Sequence, residues 1–339
     1  MTVSPDEPSA AAAVDSAADL AALPQPGPHT GPQPARPAAK LPPTEVRNPR
    51  TLDIDARPTL DVLRLLNNED EIVPGAVRAV LGTLARVVDE SAARVRQGGR
   101  VHYFGAGSSG RIAVLDATEL LPTFGVTDGE VVAHLAGGAK AMTRAVEGAE
   151  DDTERGRQDV AEAVGPADVV IGLSASGRTP YVAGALSAAG ELGAFTVVIT
   201  CDPASPLLAL AAAALVPETG PEAIAGSTRM KATTAMKLIL NSFSTALMIR
   251  LGRTYSNLMV DMSASNIKLR GRKVRILEEA CGAGAAASEE ALAAADGDLR
   301  VALIMLVGGV DARSARVALS GGVGGVREAL KSLEIASGR

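Results

Sequence analysis

The sequence predicts an α/β protein whose parallel sheet is covered by helices on both faces, followed by a small all-helical region. Three observations carry this. Short apolar runs, such as VHYF at 101–104 and DVVIGL at 168–173, alternate with segments of helical periodicity. These runs are apolar throughout rather than at alternate positions, which marks strands buried on both faces. Two of them enter turns rich in glycine and serine that open helices, the arrangement found at the carboxyl ends of strands in open α/β sheets.

The chain has 339 residues, enough for two or three domains on a rule of about 100 to 200 residues each. Residues 1 to roughly 40 are rich in Ala, Pro, Ser and Gly without periodicity, and such a stretch is expected to stay a disordered tail. Its apolar run 10–14 is too short for a secretory signal and is flanked by Asp6, Glu7 and Asp15. Helical spacing over 61–96 predicts two helices, with Pro74 at a start and Gly98 and Gly99 at the stop. After the first strand and its helix, 131–135 reads as a strand, 140–147 as a short helix and 153–164 as another. Strand 168–173, helix 181–192, strand 195–201 and a long helix at 232–251 complete the αβ pattern. Short helices follow at 270–281, 288–295, 300–307, 312–319 and 326–333, spaced as in a small bundle.

The stretch 103–125, YFGAGSSGRIAVLDATELLPTFG, is the centre of the chemistry. A glycine-rich turn entering a helix offers free N–H groups and the positive end of the helix dipole to an anion. Gly105, Gly107 and Gly110 fit G-x-G-x-x-G, but no lone acidic residue ends a second strand about twenty residues on to clamp a ribose. Ser108 and Ser109 crowd the phosphate side and suit a phosphomonoester instead. A second turn, SASGRTP, repeats the pattern with Ser174, Ser176 and Thr179 around Gly177. A third, AGSTRMK at 225–231, opens the long helix. Ser227 and Thr228 can simply cap that helix, as serines of the other turns can cap theirs. Arg229 and Lys231 are harder to dismiss, because cations at a helix N-terminus are unfavourable unless an anion lies there.

Two carboxylates are candidates for acid–base work. Glu119 follows Asp116 by three residues, so a helix puts both on one face, and its apolar neighbours Leu120, Leu121, Pro122 and Phe124 suggest burial. Burial would raise its pKa toward that of a general acid. Glu150, in AVEGAEDD, can instead be an ordinary first-turn acid.

Composition excludes several classes. A net charge of −6 and 2% aromatic residues argue against a nucleic-acid surface. Cys201 and Cys281 are too few for a disulfide framework, and His29, His102 and His134 lack ligand spacing, so no metal is expected. The most apolar stretch, 232–249, is interrupted by Lys237 and Asn241 and reads as a buried helix rather than a membrane span. The expected compartment is the cytoplasm.

YFGAGSSGRIAVLDATELLPTFGV, LAGG followed by AVEGAEDD, SASGRTPYV, GSTRMKATTAMKLILN and NLMVDM, in that order, resemble the N-acetylmuramic acid 6-phosphate etherase family. The resemblance extends from about Thr44, where TEVRNPRTLDID and LLNNEDEIVP also match, to the C-terminus. It implies a sugar isomerase domain, a flavodoxin-like αβα sandwich, at 91–254, with N-terminal helices at 44–98 after a tail at 1–43. It also implies a small helical domain of ubiquitin-associated type at 266–339. The implied reaction releases D-lactate from a sugar phosphate without metal or cofactor, as a lyase, in a homodimer.

Under the same resemblance, Glu119 is the proton donor and Glu150 the other active-site glutamate. Ser108, Ser109, Ser174, Ser176, Thr179 and Ser227 hold the phosphate and sugar, with Lys231 as a charge partner. Where the family pattern has a glutamate after LAGG, this chain has Ala139. The glucokinase regulatory protein is similar to the same family, so a phosphosugar-binding regulator is the alternative. Such a regulator is expected to lose one or both carboxylates, and this chain keeps both. An aldose–ketose isomerase of the same fold is a third reading, but it needs no acid at carbon 3.

Overall fold

The computed structural model describes residues 41–262, 267–321 and 325–337. The expected tail lies outside the described residues as far as residue 40. A strap with two 3-10 turns, Pro43–Glu45 and Ile54–Ala56, leads into α1 (Thr59–Asp70) and α2 (Ile72–Arg96). Pro74 sits at the third position of α2, where its missing N–H interrupts no internal hydrogen bond.

There follow β1 (Val101–Gly105), α3 (Gly107–Phe124), β2 (Val131–Leu135), α4 (Thr153–Ala163), β3 (Val169–Leu173), α5 (Pro180–Leu192), β4 (Phe195–Ile199), β5 (Ala213–Leu215) and α6 (Lys231–Arg250). All five strands pair in parallel in the order β2-β1-β3-β4-β5. This is the flavodoxin-like order, and its switch point lies between β1 and β3. Gly105 pairs with Leu173 and Leu173 with Ile199, so these strands end level and their turns share one edge. Nothing in the sequence announces β5, whose segment is a run of alanines without β-branched residues.

Alternate strand residues feed the two helical layers. Val101, Tyr103, Ile171 and Val197 pack with Leu84 of α2, Ala113 of α3 and Met236 and Phe243 of α6. Phe104, Val170 and Val198 point the other way, into Val160 of α4 and Tyr181, Val182 and Leu186 of α5. Each fully buried Val, Leu, Ile, Phe or Met among these contributes about 1.5 to 3 kcal/mol of burial free energy.

The helix expected over 140–147 is corrected to a single 3-10 turn, Gly138–Met142. Its carbonyls are taken by a side chain from α3: Arg111 Nε donates to Ala141 O at 2.8 Å and Nη2 to Arg144 O at 3.4 Å. Beyond α6, a small hairpin of β6 (Thr254–Tyr255) and β7 (Leu258–Met259) precedes α7 (Ile267–Cys281), α8 (Ala285–Ala294), α9 (Leu299–Gly308), α10 (Ala312–Gly321) and α11 (Gly325–Ser337). These helices match the expected bundle to within a few residues and enclose their own core around Leu277, Leu303, Ile304 and Val326.

Candidate active site

β1 and α3 meet at a crossing that only glycine permits. A Cβ on Gly105 would lie 2.8 Å from the Gly110 nitrogen, and one on Gly110 would lie 2.6 Å from the Gly105 oxygen. The G-x-G-x-x-G spacing thus reflects close strand–helix packing. No side chain caps α3 at Ala106, so its first N–H groups and the positive end of its dipole face the strand edge. Ser108 is half-buried and Ser109 buried in that first turn.

Beside this helix start lies a cleft of about 400 Å³, lined among others by Gly107, Ser108, Arg111, Glu147 and Glu150. Glu150 is exposed and rides on the 3-10 turn Ala149–Asp151, which Gly148 enters at φ +72°. The structure therefore brings Ser108 and Glu150 together, although 42 positions separate them in the sequence.

The second turn lies on the neighbouring strand at the same edge. Thr179 is the N-cap residue of α5 but makes no capping hydrogen bond. Its Oγ1 lies 2.7 Å from Ser174 Oγ instead, in a hydroxyl pair of which Ser174 is buried and Thr179 half-buried. One of the two hydroxyl protons serves that contact, and the other remains for an outside acceptor. Ser176 is half-buried, and Gly177 is held by Ser205, whose Oγ donates to its carbonyl at 2.6 Å. These three residues lie outside the lining of the Ser108 cleft.

At the third turn the structure corrects two expectations. Neither Ser227 nor Thr228 caps α6; Glu222 does, its carboxylate accepting the Lys231 and Ala232 N–H groups at 3.0 Å each. Burial raises the Glu222 pKa, against the pull of those two donors. Lys231 is not a partner for a bound phosphate: its Nζ lies 2.5 Å from Glu69 Oε2 and is 99% buried. Arg50 completes the cluster, with Nε 2.5 Å and Nη2 2.8 Å from the same carboxylate. Hydrogen bonding from Arg50 holds the Glu69 carboxyl down at about 2. The anion demanded by cations at this helix start is thus supplied by the protein. The strap grips the approach to the turn as well: Asn48 Nδ2 donates to Pro221 O at 3.3 Å, Thr51 Oγ1 to Ala223 O at 2.7 Å, and Gly226 N to Thr44 O at 2.8 Å.

Asp116 and Glu119 do not share an environment. Asp116 turns inward, accepting from Tyr103 Oη at 3.0 Å and Ser244 Oγ at 3.1 Å, and burial raises its pKa. Glu119, expected to be buried, is exposed in the single chain, beside the exposed Leu121. Eleven residues of helix separate it from Ser108, about 16 Å along the axis, and it does not line the cleft.

Arg111, Glu69 and Glu222 escaped the sequence reading. Arg111 follows Ser108 at helical spacing, a usable signal; the other two are joined to the third turn only through the fold.

Residues 83–190 match the glucokinase regulatory protein N-terminal SIS domain model, and residues 140–246 match the SIS domain model. An N-acetylmuramic acid 6-phosphate etherase of Thermobifida fusca (strain YX) is 59% identical over 265 residues, 78% of this chain and 87% of that protein. The etherase of the same name from Yersinia pestis (strain Pestoides F) is 49% identical over 288 residues, 85% of this chain and 98% of that one. A solved phosphoheptose isomerase from Francisella tularensis overlays 56% of this chain and 98% of its own with a TM-score of 0.42 at 18% identity, too loosely to transfer any residue's role.

Proposed function

The chain belongs to the N-acetylmuramic acid 6-phosphate etherase family, and we propose that it removes the D-lactyl ether from carbon 3 of N-acetylmuramic acid 6-phosphate, giving N-acetylglucosamine 6-phosphate and D-lactate. The observation that carries this is the identity with two curated etherases over most of the chain. The site chemistry agrees: hydroxyl-rich turns and an open helix start suit a phosphosugar, and two exposed carboxylates are available for proton transfer.

An ether is inert until the sugar opens. The aldehyde then exposed at carbon 1 acidifies the carbon 2 proton. A base removes that proton, its electron pair forms the carbon 2–carbon 3 double bond, and the carbon 3–oxygen bond breaks. An acid protonates the departing lactate oxygen. Water adds to carbon 3 of the unsaturated aldehyde while a proton returns to carbon 2. The sum is substrate plus water giving the two products, with no electron carrier. Glu119 is the proton donor to the ether oxygen and Glu150 the second acid–base group. Ser108, Ser109, Ser174, Ser176, Thr179 and Ser227 hold the phosphate and sugar.

The protein acts as a homodimer in the cytoplasm. Glu119 stands away from the Ser108 cleft within one chain, which supports a site completed by a second copy. No helix among the described residues is long and apolar enough to cross a membrane.

Incubation with N-acetylmuramic acid 6-phosphate in ¹⁸O-labelled water, beside the Glu119→Gln variant, tests the reaction. Lactate from the wild type alone, with label in the sugar product, is expected. Saturable binding of the substrate without lactate would move the chain to the class of phosphosugar-binding regulators.

A further inference from the structure

Arg111 lines the cleft that holds Ser108 and Glu150, one helical turn beyond Ser108. Its Nε and Nη2 are spent on two backbone carbonyls, Ala141 O and Arg144 O, which fix the plane of the guanidinium. Among the described residues no carboxylate pairs with it, although Glu147 and Glu150 line the same cleft. A half-buried, positioned and unneutralised cation beside two acids is suited to a ligand anion.

The proposed substrate has two anionic ends, the phosphate on carbon 6 and the lactyl carboxylate on carbon 3. The sugar product keeps only the first. The serine turns and helix start answer the phosphate, and nothing so far answers the carboxylate that distinguishes substrate from product. Resting on the etherase reading, we propose that Arg111 is the specificity-determining residue that binds the lactyl carboxylate, through the donors its two backbone contacts leave free.

Three measurements on wild type, Arg111→Met and Arg111→Lys test this: KM for the substrate, Kd for N-acetylglucosamine 6-phosphate, and KM for a substrate whose lactyl carboxylate is converted to the amide. For Arg111→Met, substrate KM is expected to rise roughly ten- to a hundredfold, the loss of a charge-assisted pair, while product Kd stays within about twofold. The acid-over-amide preference of the wild type should vanish in Arg111→Met and return in part in Arg111→Lys, which keeps the charge without the planar fork. If Arg111 merely braces the 138–144 loop, substrate and product weaken together and the acid-over-amide preference survives, which overturns the proposal. Lactate release by the wild type separates the two readings: without it both fall, and with it an unchanged preference sinks the Arg111 assignment alone.

Discussion

The Lys231 ammonium lies 2.5 Å from the Glu69 carboxylate, joining the first residue of α6 to the penultimate residue of α1 with both side chains almost fully buried. Removing Glu69 leaves the Lys231 ammonium charged and unpaired indoors, which typically costs about 3 to 5 kcal/mol, whereas removing Lys231 leaves Glu69 with Arg50. Glu69→Gln should therefore lower the unfolding free energy read from urea titration at pH 7 by that order, and Lys231→Met by less. The double variant should cost less than the sum of the two, because they share one interaction. The Glu69 carboxyl sits at about 2 in the folded protein against an ordinary 4.5. Its contribution, about 3 kcal/mol, is therefore complete above pH 4.5 and lost as pH falls toward 2. Denaturation from pH 5 to 2.5 should show this slope in the wild type and less of it in Glu69→Gln.

A second pH window adjoins the first. His102 is fully buried in β1, with Nδ1 3.0 Å from His134 Nε2 and Nε2 3.3 Å from Asp168 Oδ2. Burial, then the neighbouring His134, lowers its pKa to about 4, while Asp168 opposes and Arg100 assists. A base whose folded pKa is depressed stabilises the fold above its unfolded value and loses that contribution as pH falls through the folded one. Stability should decline by about 3 kcal/mol between pH 6.5 and 4. His102→Asn should flatten this decline while leaving the Glu69 window in place.

Glu222 bonds both leading N–H groups of α6. Glu222→Ala should destabilise by about 1 to 3 kcal/mol through two orphaned donors. Burial raises this carboxyl's pKa, so the stability linked to it is present at low pH and is lost as pH rises through the folded value. Glu222→Gln, which keeps one acceptor oxygen and carries no charge, should therefore lose less than Glu222→Ala at pH 7. Thermal midpoints of the three proteins decide the order.

Glu119→Gln and Glu150→Gln should each slow turnover by about 10² to 10⁴, roughly 3 to 5 kcal/mol of barrier, with product affinity retained. Mixing the two variants then reads the architecture of the site. If each site takes Glu119 from one copy and Glu150 from the other, a mixed dimer holds one intact site and activity should return to about a quarter of wild type. A site built within one chain would give no recovery.

The architecture was legible because strands buried on both faces leave apolar runs in the sequence and turns at their ends leave glycines and serines. The strand β5 and the 140–147 segment were not, for opposite reasons. An alanine run acquires strand geometry only from its neighbour β4, and a helix-permitting stretch loses its carbonyls to Arg111, a residue 29 positions upstream of its start. The site divided in the same way. Local turn chemistry pointed to Ser108, Ser174 and Thr179. The partners of Lys231 were hidden because Glu69 is 162 residues away, and the exposure of Glu119 was hidden because apolar neighbours along a helix do not face the same way.

The strap at 43–56 has a consequence for how the protein is made. Its bonds from Asn48 to Pro221 and from Thr51 to Ala223 close loops of 173 and 172 residues, so the first described part of the chain to leave the ribosome must wait for almost the last part of the sheet domain. At ordinary synthesis rates that wait is on the order of ten to thirty seconds. Through it, Glu69 has no ammonium beside it and the start of α6 does not yet exist. The third turn is consequently assembled late, by closure of a long loop rather than by local folding, and mutations in the strap should slow refolding more than their distance from the sheet suggests.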